Sequence, residues 1–282
     1  MAGRLFPAAS TNLEEMAIKL TFEGLTDVGR ERDHNEDAFL VMEEYELAIV
    51  ADGMGGHNAG DVASSMAVDR ISTFFKHTES EDSTWPFHFD TNLSYEENRL
   101  IGGIQVANKS IYHQSSQPSA QEGMGTTVVS LCFSARDTMG YVGHVGDSRC
   151  YLLRDGQLSQ VTRDHSLLND YLDAMPDMSE ERKQAIPTNV ITRALGMQST
   201  VQVDLSRVPL EKGDLFMLCS DGLSGMVSDE NIEAMLREGG DDLPAMARKL
   251  VEGANEAGGE DNVTVVLIRV EDVTIDDPEP PA

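Results

Sequence analysis

The chain has 282 residues, enough for one large domain or two small ones, with the 40% hydrophobic and 25% charged content of an ordinary globular protein. Its 49 acidic against 21 basic residues leave a formal net charge of −28. That excess argues against nucleic acid and anionic membrane as partners, because both reward a basic face. No run approaches the ~20 apolar residues of a membrane span.

Residues 1–16 read as a loosely ordered arm without the continuous apolar core of a secretory signal. Strand-like runs rich in β-branched residues follow at Ile18–Leu25, Ala38–Met42 and Leu47–Ala51. A helix over Asn58–Phe75 carries Ala63, Ala67, Ile71 and Phe74 on one stripe. A polar insertion, residues 77–92, separates it from a second helix, where Ser94 and Glu97 form a capping box before Leu100, Ile104, Ala107 and Ile111. Further strands are expected at Thr126–Phe133, Met139–Val145, Cys150–Arg154, Val201–Val208 and Asp214–Cys219. A second helix pair, Asp229–Arg237 and Pro244–Glu256, precedes a last strand at Val263–Val270. Residues 271–282, rich in Asp and Pro, read as a frayed acidic tail. Strands and helices come in groups and do not alternate as βαβ units do. The order therefore predicts one α+β domain over residues 17–270, with antiparallel sheets carrying helix pairs on their outer faces. Cys132, Cys150 and Cys219 lie among apolar residues without a C-x-x-C pair, and read as reduced core thiols of a cytoplasmic protein.

Five aspartates carry the chemistry. Asp37 precedes Ala-Phe-Leu-Val; Asp52 ends Leu-Ala-Ile-Val-Ala and precedes Gly53; Asp147 stands in Val-Gly-Asp-Ser-Arg; Asp221 follows Leu-Phe-Met-Leu-Cys-Ser; Asp261 opens the last strand. A carboxylate at the mouth of a buried strand costs several kcal/mol unless it is paired or bound to a cation. Five from distant sequence suggest an all-oxygen site for hard divalent metals and metal-assisted hydrolysis. Arg32 adds a planar fork suited to phosphate, and Glu36 faces away from Asp37 if the strand continues through it. The carbonyl of Gly53 stands beside Asp52 in a glycine-rich turn that allows close approach to a ligand. Each segment alone is also readable as a simple turn, so the case rests on the set.

These residues bear a resemblance. RDHNED (Arg32–Asp37), DGMGGH (Asp52–His57), GTT (Gly125–Thr127), GDSR (Gly146–Arg149), TRDHS (Thr162–Ser166), NVITRALG (Asn189–Gly196), SDGL (Ser220–Leu223) and EDN (Glu260–Asn262) occur in the order seen in metal-dependent, type 2C serine/threonine phosphatases of bacterial form. The likeness runs from about Leu20 to Val270. It implies a four-layer α-β-β-α sandwich of two antiparallel sheets, with a flap at about residues 166–188 that bears on substrate choice. By the same resemblance Asp52 bridges two Mn²⁺ or Mg²⁺ ions, Gly53 gives its carbonyl to the first, and Asp221 and Asp261 hold the second. Glu36 and Asp37 hold water bound to the ions, Arg32 binds the substrate phosphate, and Asp147 with Asp221 takes a third, weaker ion. Paired cations make hydroxide available near neutral pH for in-line attack on phosphorus. The implied substrates are phosphorylated proteins, with a serine/threonine kinase as the opposing enzyme and the phosphatase a monomer.

Two positions depart from the pattern. Met54 stands where animal relatives place a histidine proposed as proton donor; methionine cannot donate, so a metal-bound water is expected to do so, with His57 and His34 as lesser candidates. Gly225 replaces an acidic ligand for the third ion that some relatives carry. The rival readings are weaker. A cysteine phosphatase fails on spacing, since Cys132 and Cys150 have an arginine four residues on and Cys219 has none nearby. A nuclease would want a basic track, and Gly53–Gly60 lacks the P-loop ending. A catalytically weak phosphoprotein-binding adaptor of the same fold is the alternative from another class, although none of Asp52, Asp221 and Asp261 is lost.

Overall fold

The computed structural model describes residues 17–55, 59–79, 85, 89–117, 123–187 and 190–274. The arm at 1–16, Asn58, His57 and the tail beyond residue 274 lie outside them. Strand β1 (Ala17–Asp27) leads to β2 (Asp37–Met42) and β3 (Leu47–Met54), followed by helices α1 (Ala59–His77) and α2 (Tyr95–Ser115). Then come β4 (Gly125–Thr126), β5 (Val128–Ser134), β6 (Met139–Val145), β7 (Arg149–Arg154) and β8 (Gln157–Gln160). The flap holds α3 (Leu167–Ala174) and α4 (Glu180–Gln184). The chain finishes with β9 (Asp204–Pro209), β10 (Leu215–Cys219), α5 (Asp221–Ser224), α6 (Asp229–Glu238), α7 (Leu243–Glu256) and β11 (Val263–Thr274).

Two antiparallel sheets result, one ordered β1-β11-β10-β7-β8 and the other β2-β3-β5-β6-β9 with β4 beside β3. The period-2 alternation of strands assigns their faces. In β3, Leu47, Ile49 and Ala51 pack with Ala63, Ala67 and Ile71 of α1 and Leu100, Ile104 and Ala107 of α2. Ala48 and Val50 point the other way, into an inter-sheet core with Val129, Leu131, Phe216, Leu218, Val266 and Ile268. In β11, Val265 and Leu267 meet Ile232 and Leu236 of α6 and Met246, Leu250 and Val251 of α7. Because the central strands are covered on both faces, they read as continuous apolar runs. The expected four layers, α-β-β-α, are present. The Ser94 capping box also forms: Ser94 Oγ accepts from Glu97 N at 3.1 Å, and Glu97 Oε2 accepts from Ser94 N at 2.8 Å.

Several expectations need correction. Phe75, not Phe74, enters the helix–sheet core, while Phe74 packs edge-on to Trp85 of the insertion, centroids 5.5 Å apart. The expected strand over Thr126–Phe133 is broken at Thr127, whose N–H turns to Asp52 O at 2.8 Å. Residues 201–203 are not strand, because β6 ends at Val145 and the last pair with β9 is His144 with Asp204. The tail does not begin at 271: β11 continues to Thr274, paired with Ala17. β8 has no apolar alternation to announce it, and α5 is a single turn.

Candidate active site

The ends of β2, β3, β10 and β11 meet at one edge of the sandwich. Register places Asp37 opposite Asp52 across β2 and β3. Asp37 Oδ2 accepts from Ser220 Oγ at 2.8 Å and Thr264 Oγ1 at 2.6 Å, so its carboxyl reaches across to the other sheet. Glu36 goes the opposite way, as strand alternation requires: a Cβ on Gly60 of α1 would lie 2.7 Å from Glu36 Oε1. Gly53 is squeezed between the same segments, its absent Cβ 2.1 Å from Gly60 O and 2.5 Å from Glu36 O, and its N–H donates to Glu36 O at 3.1 Å. No larger residue fits there, and the backbone of residue 53 is held beside Asp52.

Asp221 follows Ser220, the residue before the first turn of α5, and its carboxyl shares a proton with that of Asp52. Asp261 accepts from Asn262 N at 2.8 Å and pairs with Arg32 Nη2 at 2.7 Å, while Arg32 Nε donates to Glu260 O at 3.3 Å. Asp147 lies in the turn after β6, is 8% exposed, and its Oδ1 has no hydrogen-bond partner among the described residues. Asn262 sews the two loops together: Oδ1 takes Glu36 N at 2.7 Å, and Nδ2 donates to Val28 O and His34 O at 2.8 and 3.0 Å. Thr127 Oγ1 accepts from Asp52 N at 3.2 Å and lies 2.6 Å from Ser148 Oγ. Ser220, Thr264, Asn262, Thr127 and Ser148 were not anticipated as site residues. Their only signal is adjacency to a motif aspartate or, for Thr127, to the strand break.

The carboxylates resist ionisation together. Desolvation, opposed by the Thr264 and Ser220 hydrogen bonds and reinforced by Asp221 and Asp261, pushes Asp37 up to about 7. Desolvation and then Asp221 and Asp164 push Asp147 up to about 7. Asp52, partly accessible but crowded by protein on nearly every side, is raised well above the carboxylate range by desolvation and then by Asp37, Asp221 and Asp147. Asp221 is also raised, chiefly by desolvation. Like charges this close cannot all ionise unless a cation joins them.

Among the described residues, no three acidic, histidine or cysteine side chains close on one ready-made coordination point. The convergence is pairwise: Asp52 with Asp221, Asp52 opposite Asp37, and Asp261 held by Arg32. Hard divalent cations fit such a set, because they accept a few carboxylates, a backbone carbonyl and water in place of a full protein cage. The unpartnered Oδ1 of Asp147 is a further oxygen that wants a cation or a proton. The residues present thus suit Mg²⁺ or Mn²⁺. His34 offers its carbonyl to Asn262; Gly225 ends α5, donating its N–H to Asp221 O at 2.6 Å.

A "Protein phosphatase 2C" family model matches residues 29–261. The chain is 39% identical over 251 residues to the serine/threonine phosphatase stp of Listeria monocytogenes, covering 86% of this chain and 93% of that one. Its fold matches that of the S. agalactiae serine/threonine phosphatase with a TM-score of 0.78 at 33% identity, over 90% of this chain and 100% of the other. It also matches the catalytic domain of the phosphatase PstP in complex with two manganese ions, with a TM-score of 0.74 at 33% identity, over 91% and 100% of the respective chains. The chain belongs to the protein phosphatase 2C family. It is a protein serine/threonine phosphatase with a divalent-metal requirement, and the adaptor alternative is not favoured.

Proposed function

We propose that the carboxylate edge of the sandwich is the catalytic centre, and that it hydrolyses phosphoserine and phosphothreonine on proteins. Asp52, the carbonyl of Gly53, Asp221 and Asp261 hold two Mn²⁺ or Mg²⁺ ions; Glu36 and Asp37 order water around them; Asp147 serves a third, weaker ion. Bound, these ions supply Lewis acidity, lowering the pKa of water and neutralising charge on phosphorus oxygens. Arg32, now paired with Asp261 and 47% exposed at its side chain, turns its fork to the substrate phosphate. Thr127, Ser220 and Thr264 keep the aspartates in register while their charge changes. Met54 has no proton to give, so protonation of the leaving oxygen falls to water; His57 lies outside the described residues.

One observation carries this reading: Asp52 is opposed in ionisation by three other aspartates, Asp37, Asp221 and Asp147, gathered from four separate segments. Such a cluster is useless to stability and useful to cations. The test is turnover of a chromogenic phosphate ester and of a phosphothreonine peptide, with Mn²⁺ and after chelation. Metal-dependent release of phosphate from both is expected; undiminished release after chelation ends the proposal.

The flap at residues 166–188 meets the protein part of the substrate, and a serine/threonine kinase or its targets supply that substrate. Phosphoproteomes with and without the gene product test this, with an unchanged phosphoserine and phosphothreonine inventory as the contrary result. Three free, buried cysteines suit a reducing cytoplasm, and no helix among the described residues is long and apolar enough to cross a membrane. A monomer is the proposed solution state, which sedimentation would check.

A further inference from the structure

His165 has no role in the scheme above, yet it holds both backbone polar groups of the residue before Asp147. Gly146 N–H donates to His165 Nδ1 at 2.9 Å, and His165 N donates to Gly146 O at 2.9 Å. A backbone amide can only donate, so Nδ1 is the bare nitrogen and the neutral ring carries its proton on Nε2. There Asp204 Oδ2 stands at 3.3 Å, and Arg193 Nη1, 3.0 Å from the same nitrogen, shares that carboxylate by its own 2.6 Å bond to Oδ1. The ring lies flat on that of His144, with centroids 4.7 Å and planes 8° apart. His144 Nε2 in turn meets Arg163 O at 2.9 Å, which gives it the same tautomer. Desolvation lowers the pKa of both rings, and two stacked imidazolium cations would repel, so both are neutral near pH 7.

The turn so gripped needs gripping. Gly146 has φ +112°, and a Cβ there would sit 2.6 Å from Thr127 Cβ. Glycine reaches that conformation without strain but does nothing to keep it. Beyond Asp147, Ser148 is tied through Thr127 to the backbone of Asp52. Asp147 therefore hangs between two anchors, one on the strand of Asp52 and one on His165. The second anchor is also where the flap closes. His165 O accepts from Thr192 N at 2.9 Å, Leu167 N donates to Val190 O at 2.8 Å, and Ser166 bridges to Ile191.

We propose that His165 is the positioning residue for Asp147: through Gly146 it aims the unpartnered carboxylate oxygen at the weaker cation position, and it joins that position to the closed base of the flap. The inference rests on the reading of Asp147 as a cation ligand. It asks for an acceptor at the place of Nδ1 and not for an imidazole as such.

Calorimetric titration of the full chain with Mn²⁺ tests it, with D147N as the benchmark that loses the weakest class of site. H165N keeps an oxygen acceptor near the place of Nδ1, whereas H165Q sends its amide to the place of Nε2 and leaves Gly146 N–H unpaired. H165Q is expected to weaken the weakest Mn²⁺ site about tenfold, the low end of what lost ligand-orienting contacts cost. H165N is expected to bind as wild type, and neither variant to alter the tighter sites. H165Q binding normally beside a deficient D147N would overturn the positioning role alone. D147N binding normally would overturn the reading of Asp147 beneath it. H165N as impaired as H165Q would reduce His165 to a packing residue. Should H165Q not fold, hydrogen exchange at the Gly146 amide of H165N decides: protection as in wild type supports the proposal, and free exchange refutes it.

Discussion

At the carboxylate edge, Asp37 and Asp52 are fixed by strand register, Asp221 by the start of α5, and Ser220 and Thr264 fill the space between the sheets with hydroxyls aimed at Asp37. The flap is built the other way. None of residues 167–187 belongs to the three apolar cores, and α3 has no buried residue. The large hydrophobics that are exposed among the described residues all fall in this region or just after it: Tyr171, Met175, Val190 and Met197. Charges that repel one another must be held by a stiff frame, whereas a surface that meets other proteins gains from a weak one. The contrast predicts that changes at the edge alter chemistry and stability together, and that changes in the flap separate them.

The sharpest break is Asp52→Asn. It removes the carboxylate that every other aspartate opposes, so phosphate-ester turnover is expected to fall by about 10³-fold, at the scale of losing a central electrostatic group. The metal-free protein should melt higher, because a repulsive charge has gone. A variant that kept a tenth of wild-type turnover, or melted lower without metal, would contradict the edge as described. Arg32→Ala comes next, with about a hundredfold loss in kcat/KM for want of the phosphate fork. Its melting temperature should hardly move, since an exposed pair such as Arg32–Asp261 contributes about 0–1 kcal/mol.

The pH dependence of the chelated protein is smaller but has a definite sign. Asp37 and Asp147 are raised to about 7 in the folded state, so near that pH the folded chain holds protons that the unfolded chain has released. Stability then falls as pH rises through this range, the reverse of the usual paired carboxylate. His144 and His165, with lowered pKa values, work against this only below about 6.5, where the unfolded chain takes up their protons. Between about pH 6.5 and 8 the carboxylates act alone, and the melting temperature should drop by a few degrees, roughly 1.5 kcal/mol for two such groups. Mn²⁺ should abolish the slope. A flat or rising curve without metal would mean that the aspartates are already ionised and far less crowded.

Much of this edge was legible because each candidate aspartate borders an apolar run, and such runs are the plainest signal of a strand covered on both faces, as Leu47–Ala51 and Val263–Val270 proved to be. What was hidden depends on pairing across the chain. Nothing near Thr264 announces that its hydroxyl bonds Asp37, 227 positions away. Thr127 looks like any β-branched strand residue, yet its backbone leaves the ladder to bond Asp52. Val201 and Val203 carry strand propensity but have no β6 partner, because Gly146 has already turned that strand aside. The flap was recognisable only through motif order, since helices as polar as Glu180–Gln184 owe little to a hydrophobic stripe.

The smallest effect is the one that isolates the flap. Met197 is 56% exposed and Tyr171 42%, and neither lies in a core cluster, so M197S and Y171S should each leave stability within about 0.5 kcal/mol of wild type. A small chromogenic ester reaches the carboxylate edge without touching these side chains, and its kcat/KM should stay the same. A phosphorylated protein buries apolar surface against them, and its kcat/KM should fall about threefold for each variant, mainly through KM, because uniform binding is what is lost. Equal losses on both substrates would place the flap inside the chemistry and erase the distinction. No loss on either would leave those exposed side chains without a part in substrate binding, and the protein part of the substrate would then have to be met elsewhere on the surface.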